Sequence, residues 1–356
     1  LSSSSAASDV YKRQALAEAT KLAKRKFDVG IMDEAHKTVG SKDKSFAHLL
    51  FEENIKIDKR IFMTATERRY RGKMDDILSM DDHDSYGETF EYLSFKDALD
   101  YKEPQILSDY KIVTVDVNDA EIKELINSRK FVKPSKGKWD EEGQADKFAA
   151  LIALRKAIKK FKINHALSFH SSIARAEAFQ QNQSILSEQF SEYGDLDTFF
   201  VSGKMATSER DRHIDNFKNS KRALISNARC LTEGVDVPAI DCVLFADPKK
   251  STVDIVQAVG RALRLSKGKK YGYIIIPVSI KENEDFEKSQ AFQSILHTLR
   301  AIASNDERII EYFRDKVKSN VNTRNVEIVL RNQLSSKINV NDVQKNIDLK
   351  VWKKHA

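Results

Sequence analysis

The sequence has only two cysteines, Cys230 and Cys242. Neither their number nor their spacing can build a disulfide framework or a zinc site, and we expect a reducing, cytoplasmic compartment. There is no apolar run approaching the roughly 18 residues of a membrane-spanning helix. The N-terminus has no basic stretch followed by an apolar one, so neither export nor a membrane partner is expected. No block of like charge is long enough to act as a basic or acidic tail. The charge surplus is modest: Lys and Arg total 60 against 53 Asp and Glu, a formal +7. That fits a polyanionic partner without demanding one, and each Lys-rich stretch by itself reads as solvated surface. What is present is a globular balance, 41% apolar and 32% charged over 356 residues, and a length that favours two domains over a single core.

Residues 1–14, LSSSSAASDVYKRQ, lack a starting Met and any helical or strand period. They read as a non-native, adapter-like segment or, failing that, a flexible linker, with the natural chain expected to begin further upstream. From Ala15 an α/β rhythm sets in. ALAEATKLAKRK is helix-like, FDVGIM is an apolar strand, and RIFMTAT is a second strand, each strand ending in polar residues. This region, 15–84, is one partial domain. In 85–144 the rhythm is lost among Gly87, Pro104, Pro134, Gly137 and Gly143, which suggests a connector. It resumes at Asp146, a candidate N-cap, with Phe148, Leu151, Leu154, Ile158 and Phe161 on one helical face. A second α/β domain is expected over 145–280, its strands HALSF, DTFFVS, RALISN, DCVLFAD and YGYIIIPV apolar enough to be buried on both faces of a sheet. Residues 281–356 read as a helical accessory region, with FQSILHTLRAIA its clearest amphipathic piece.

Four strings carry chemistry. In Ile31-Met32-Asp33-Glu34-Ala35-His36 an apolar strand ends in adjacent carboxylates, which suits one group holding Mg²⁺ and another orienting or deprotonating an attacking water. Thr64-Ala65-Thr66 ends the next strand with hydroxyls that can bond the acidic pair. In the helical stretch ending QAVGRALR, Gln257, Arg261 and Arg264 fall on one face at spacings of four and three; guanidiniums so placed suit a phosphate and the charge of a phosphoryl-transfer transition state. Gly260 and Gln257 are not what a plain surface helix would choose. In Leu231–Pro238, LTEGVDVP, Gly234 lets the backbone approach a ligand, and Asp236 can accept a hydrogen bond from a ribose or an amide. Singly these strings are an acidic turn, a strand end, a basic helix face and an ordinary loop.

Together, DEAH, TAT, LTEGVDVP and QAVGRALR resemble motifs II, III, V and VI of superfamily 2 helicases, in order and spacing, and FHSS at 169–172 falls where motif IV belongs. The resemblance runs from about Ala15 to Val278. It implies two RecA-like parallel-sheet lobes, the first incomplete, with ATP in the cleft between them and nucleic acid across their top. Asp33 would then hold Mg²⁺ through water, Glu34 would be the catalytic base, and His36 would couple the site to Gln257. Thr64 and Thr66 would link hydrolysis to movement. Gly234, Asp236 and Gly260 would serve the nucleotide, and Arg261 and Arg264 would reach its γ-phosphate, Arg264 as the finger. His170, Ser171, Ser202, Gly203, Lys204 and Thr232 are the nucleic-acid candidates, although His170 follows a buried strand and suits a structural hydrogen bond equally well. The stretch from Ala228 to Arg264 looks most like the ATPase motors of restriction-modification systems, implying double-stranded DNA and restriction-modification subunits as partners.

The sequence departs from that family in one respect. It contains no G-x-x-x-x-G-K-[ST], the loop whose amides and Lys hold phosphates; SGKMAT and KGKKYG lack the leading Gly. The loop is expected upstream of Asp33, and the polypeptide as given is expected to hydrolyse ATP marginally. An RNA helicase and a non-catalytic nucleic-acid-binding scaffold are the alternatives. Retention of Asp33, Glu34, Arg261 and Arg264 argues against the scaffold.

Overall fold

The computed structural model describes residues 15–41, 47–65, 67–70, 77–101, 103–117, 119–128, 130–131, 141–228, 240–247, 251–279, 290–306, 308–309 and 327–329. The chain divides into two compact units, Leu1–Tyr92 and Leu93–Ala356.

In the first unit, helix α1 (15–22) precedes β1 (Phe27–Met32), β2 (Gly40–Ser41), β3 (Ile57–Phe62), β4 (Ile77–Leu78) and α2 (His83–Tyr86). β1 and β3 pair in parallel from Phe27↔Ile57 to Met32↔Phe62, and β2 and β4 pair antiparallel. Two small apolar clusters hold the unit: Ala17, Ile55 and Ile57, and Val39, Ala47, Leu78 and Tyr86. Val29 and Ile31 of β1 remain exposed, since β3 is the strand paired with it among the described residues.

The second unit is a seven-stranded sheet between two helical layers. Its elements are α3 (Phe95–Asp100), β5 (Asp109–Val117), α4 (Asp119–Asn127), α5 (Glu141–Phe161), β6 (His165–Phe169), α6 (Ile173–Gln189), β7 (Asp197–Ser202), α7 (Thr207–Asn219), β8 (Ala223–Ala228), β9 (Cys242–Phe245), α8 (Thr252–Leu263), β10 (Tyr271–Ser279), α9 (Gln290–Ala303) and β11 (Glu327–Val329). The strand order is β11-β5-β10-β9-β6-β8-β7, and every pair is parallel. Successive side chains of a strand point to opposite faces, and two cores result. Ile112, Leu167, Phe169, Val243, Phe245, Ile274 and Ile276 join the core packed with α7, α8 and α9. Val113, Val115, Ala166, Cys242, Leu244 and Ile275 join the one packed with α4, α5 and α6. The continuous apolar strands of the sequence therefore form a sheet buried on both faces, as a parallel sheet requires.

Three sequence expectations need adjustment. DYKIVTVDV, placed in a connector over 85–144, is a nine-residue strand between β10 and β11. Its β-branched residues serve both cores; the break between the two units falls at Tyr92, near Gly87, and Gly143 lies within α5. Asp146 does not cap α5, which starts at Glu141; acidic residues in the first helical turn favour the earlier start. The region beyond 281 contains helix α9 but also β11, which adds a strand to the sheet at β5.

Close approach is decisive at Gly272 of β10. A Cβ there would overlap the carbonyl oxygen of Ala262 in the last turn of α8, and a backbone atom cannot swing aside. Gly272→Ala is expected to destabilise the second unit by about 1–3 kcal/mol, the usual cost of overpacking, read as a lower denaturant midpoint at unchanged m-value. A variant as stable as the parent would show that β10 and α8 can separate freely.

Candidate functional site

Parallel sheets place ligands beyond the carboxyl ends of their strands, and the predicted site residues cluster at such ends. In the first unit, pairing continues past the strands: the Met63 amide donates to the Met32 carbonyl at 2.9 Å, and the Ala35 amide donates to the Met63 carbonyl at 2.9 Å. This register sets DEAH beside TAT. Glu34 has a left-handed backbone, φ 53° and ψ 42°, unusual for a residue with a Cβ and a form of strain that collects at functional sites. Its amide donates to Asp33 Oδ1 at 2.8 Å, which leaves the exposed Asp33 carboxylate facing solvent. Buried His36, 3% exposed, brings its Nδ1 to 3.2 Å from Glu34 Oε2 and 2.9 Å from Thr64 Oγ1. One ring nitrogen thus hydrogen-bonds the hydroxyl of the neighbouring strand and lies within ion-pair distance of the second carboxylate of the acidic pair. Thr66 lies outside the described residues.

In the second unit, Ser251 caps α8, its hydroxyl accepting the Asp254 amide at 3.3 Å. Gln257 and Arg261 lie on the helix four residues apart, but Arg264 does not. It is the C-cap, with extended backbone at φ −60° and ψ 139°, so the expected single helical face holds for the first two residues, and Arg264 leaves from the turn beyond. Arg261 is 6% exposed. Gln257 Nε2 is buried without a hydrogen-bond partner among the described residues, a rare condition for an amide donor that marks a place for a ligand or partner group. A Cβ on Gly260 would meet nothing within 4 Å among the described residues, so packing against them does not require the glycine. Thr232, Gly234 and Asp236 lie outside the described residues.

The FHSS segment sits where β6 meets α6. Ser172 is the N-cap, accepting the Arg175 amide at 3.3 Å. The His170 ring is buried, 2% exposed. It bonds Ser168 Oγ through Nε2 at 2.9 Å and lies 4.7 Å from the Phe179 ring. It therefore supports the turn from within and does not present its ring on the surface, whereas Ser171 is exposed. Ser202 is buried at the end of β7; Gly203 and Lys204 are exposed.

Asp247, just past β9, had no place among the sequence candidates, although a polar residue ending an apolar strand was a usable signal. Its Oδ2 accepts both the amide and the hydroxyl of Ser171 at 2.8 Å, and its Oδ1 accepts Arg175 Nη1 at 3.0 Å. Burial alone would raise its pKa, but the Ser171 amide, the His170 charge, the Ser171 hydroxyl and Arg175 together hold it below the ordinary carboxylate value. A depressed folded-state pKa contributes stability that is present above the unfolded value, about 4, and is lost as pH falls through the folded one. Asp247→Asn is accordingly expected to flatten the acid-side loss of stability below about pH 4. Denaturant titrations across that range check this, and parallel acid limbs in variant and parent would refute it.

Among the described residues no group of three or more His, Cys, Asp or Glu could enclose a metal ion, and no helix is long and apolar enough to cross a membrane. A lone exposed aspartate suits a cation that keeps most of its water, as Mg²⁺ does.

A parallel sheet covered on both faces, with an acidic strand end in one unit and an arginine-bearing helix in the other, defines the class as a RecA-like protein. Residues 146–266 match the helicase conserved C-terminal domain. The chain is 28% identical over 295 residues to a "Probable helicase" of African swine fever virus, a match spanning 80% of this chain and 30% of that protein. It superposes on the ATP-dependent Type ISP restriction-modification enzyme LlaBIII bound to DNA with a TM-score of 0.69 at 25% identity, covering 95% of this chain and 24% of that one. Against a nuclease-deletion mutant of the Type ISP enzyme LlaGI in complex with a DNA substrate mimic, the TM-score is 0.56 at 26% identity, over 97% of this chain and 22% of that one. Residues 146–266 thus carry a helicase C-terminal domain, and the chain is similar to helicases over most of its length. It spans less than a third of the length of these relatives.

Proposed function

We propose that this chain supplies the hydrolytic edge of one RecA-like lobe and the whole of the second lobe of an ATP-dependent DNA translocase or helicase, of the kind that drives restriction-modification enzymes. The observation that carries the reading is the placement of buried His36, whose Nδ1 hydrogen-bonds Thr64 and lies 3.2 Å from the Glu34 carboxylate. A structural acidic turn has no need of a buried imidazole linking its carboxylate to the next strand. Bound ATP with Mg²⁺ supplies the phosphoryl group and the charge that activates it. In this reading the chain's own residues do the rest. Asp33 holds the metal through water, Glu34 takes the proton of the attacking water, and His36 keeps that carboxylate turned toward the site. Arg264, with Arg261 and Gln257, offers donors to the charge that develops on the phosphate oxygens. Gly203 and Lys204 present an open backbone and an ammonium to a nucleic-acid backbone, with Ser202 beneath them, while Ser171, whose amide and hydroxyl both donate to Asp247, shapes the neighbouring turn together with His170.

The test is nucleic-acid-stimulated ATP hydrolysis in a form of the protein that carries a phosphate-binding loop. Duplex DNA is expected to stimulate turnover and RNA to leave it near the basal rate; stimulation by RNA alone would assign the motor to RNA. The 356 residues contain no such loop, so this polypeptide by itself is expected to turn ATP over marginally. Robust DNA-stimulated hydrolysis by it alone would overturn the assignment of phosphate binding to that loop.

A further inference from the structure

The arginine helix ends firmly, and the group that holds it is a lysine of the KGKKYG string, which has no role among the helicase-like motifs. Lys269 lies in the turn between α8 and β10, where its amide donates to the Ser266 carbonyl at 3.1 Å and Gly268 takes a φ of +78°. Its ammonium donates to the carbonyls of Ile240 at 2.8 Å, Arg264 at 2.8 Å and Ala262. Two of these acceptors are carbonyls at the C-terminal end of α8, which have no partner within the helix. A cation there also meets the negative end of the helix dipole. The third, Ile240, leads into β9 directly after the LTEGVDVP segment.

The same turn is held from its other side. The Ser108 amide donates to the Leu263 carbonyl at 2.7 Å, and Leu107 forms an antiparallel bridge with Arg264. Arg264 thus has its amide on the Arg261 carbonyl at 3.4 Å and its carbonyl on Lys269. Both backbone dihedrals of the residue are tied down, and the direction in which its side chain leaves the chain is set with them.

We propose that Lys269 is the positioning residue of the arginine pair, a clamp that holds Arg264 and the entry to β9 at Ile240 in one register. The inference rests on the proposed role of Arg264. A tetrahedral ammonium with three rotatable donors suits three carbonyls converging on one point, whereas the planar guanidinium of arginine does not. Burial draws the Lys269 pKa down to about 8, with Asp241 opposing the shift. The Asp241 Oδ2 is already shared by the amides of Asn164 and His165. The carbonyls, not a paired carboxylate, are what the ammonium bonds.

The experiment compares Lys269→Met, Lys269→Arg and Arg264→Ala in a form of the protein that carries the phosphate-binding loop. In Lys269→Met the kcat for DNA-stimulated hydrolysis is expected to fall about tenfold, the scale of a small misplacement at a reacting centre, with the KM for ATP and the Kd for DNA unchanged. Lys269→Arg, able to reach only some of the acceptors, is expected to fall between. Hydrogen exchange at the amides of residues 261–264 should quicken in Lys269→Met, and this readout does not depend on turnover. Wild-type kcat in Lys269→Met, or unchanged exchange at those amides, overturns the clamp, as does a parallel loss of kcat, ATP binding and DNA binding. Full activity in Arg264→Ala would instead overturn the role of Arg264 while leaving the exchange result to decide whether Lys269 holds the turn.

Discussion

Glu34→Gln is expected to lower ATP turnover by roughly 10²- to 10⁴-fold, the range for loss of a positioned general base, while ATP still binds. The substitution preserves shape, so the left-handed backbone at residue 34 and the Ala35 amide bond to Met63 have no steric reason to change. What is lost is the ability of the side chain to accept a proton. The amide can still reach His36 Nδ1, so the bridge to Thr64 can survive in a different hydrogen-bond sense. The expected signature is therefore a fall in kcat without a matching rise in the KM for ATP. The measurement is steady-state hydrolysis with saturating duplex DNA, in a form of the protein that includes a phosphate-binding loop, alongside nucleotide binding at equilibrium. Hydrolysis at the wild-type rate in Glu34→Gln would remove Glu34 from the role of base.

Asp306→Ala is expected to destabilise the second unit by about 3–5 kcal/mol, the cost of leaving a buried charge without its partner. Asp306 is fully buried beneath the start of β5. It accepts the Tyr110 hydroxyl at 2.5 Å and three contacts from the Arg308 guanidinium, at 3.0 Å and 3.1 Å from Nε and 2.8 Å from Nη2. Arg308 also reaches Asp109 at 3.3 Å. Burial and the adjacent carboxylate push the Tyr110 pKa well up, so the phenol stays neutral and donates. Removing Asp306 takes the acceptor from the Tyr110 hydroxyl and leaves the guanidinium only its longer contact with Asp109. Arg308→Met, which takes away the cation, would leave the buried carboxylate with only the Tyr110 hydroxyl and the amide of residue 308, and should cost a similar amount. The double variant should cost less than the sum, because each single change already breaks the same network. Additive losses in a denaturant series would show that the groups act independently.

The adjustments made by the structure have a common origin. β5 reads as part of a connector because Gly and Pro punctuate the stretch around it, whereas a strand joins a sheet through partners distant in the chain; Asp109–Val117 pairs with Tyr271–Ser279. β11 was missed for the same reason. Arg264 was grouped with a helical face from spacing alone, but the helix ends at Leu263 because Lys269 and Ser108 satisfy its last carbonyls. His170 was open between surface contact and internal support. Its neighbours Ser168 and Phe179 place the ring inside, and no local pattern records that. Asp247 acts on Ser171, far along the chain, and Lys269 acts on backbone carbonyls, which no side-chain pattern marks.

The sequence by itself determined the α/β class, the placement of most strands, and the order of DEAH, TAT, FHSS, LTEGVDVP and QAVGRALR. Local periodicity and side-chain chemistry carry that information, because apolar strands and motif residues are contiguous in the chain. Only the tertiary structure decided which strands neighbour one another, which polar side chains are buried, and what holds the turn at Arg264. Those are matters of long-range hydrogen bonding and packing, set when residues a hundred or more positions apart, such as Ser108 and Arg264 or Tyr110 and Asp306, come within bonding distance.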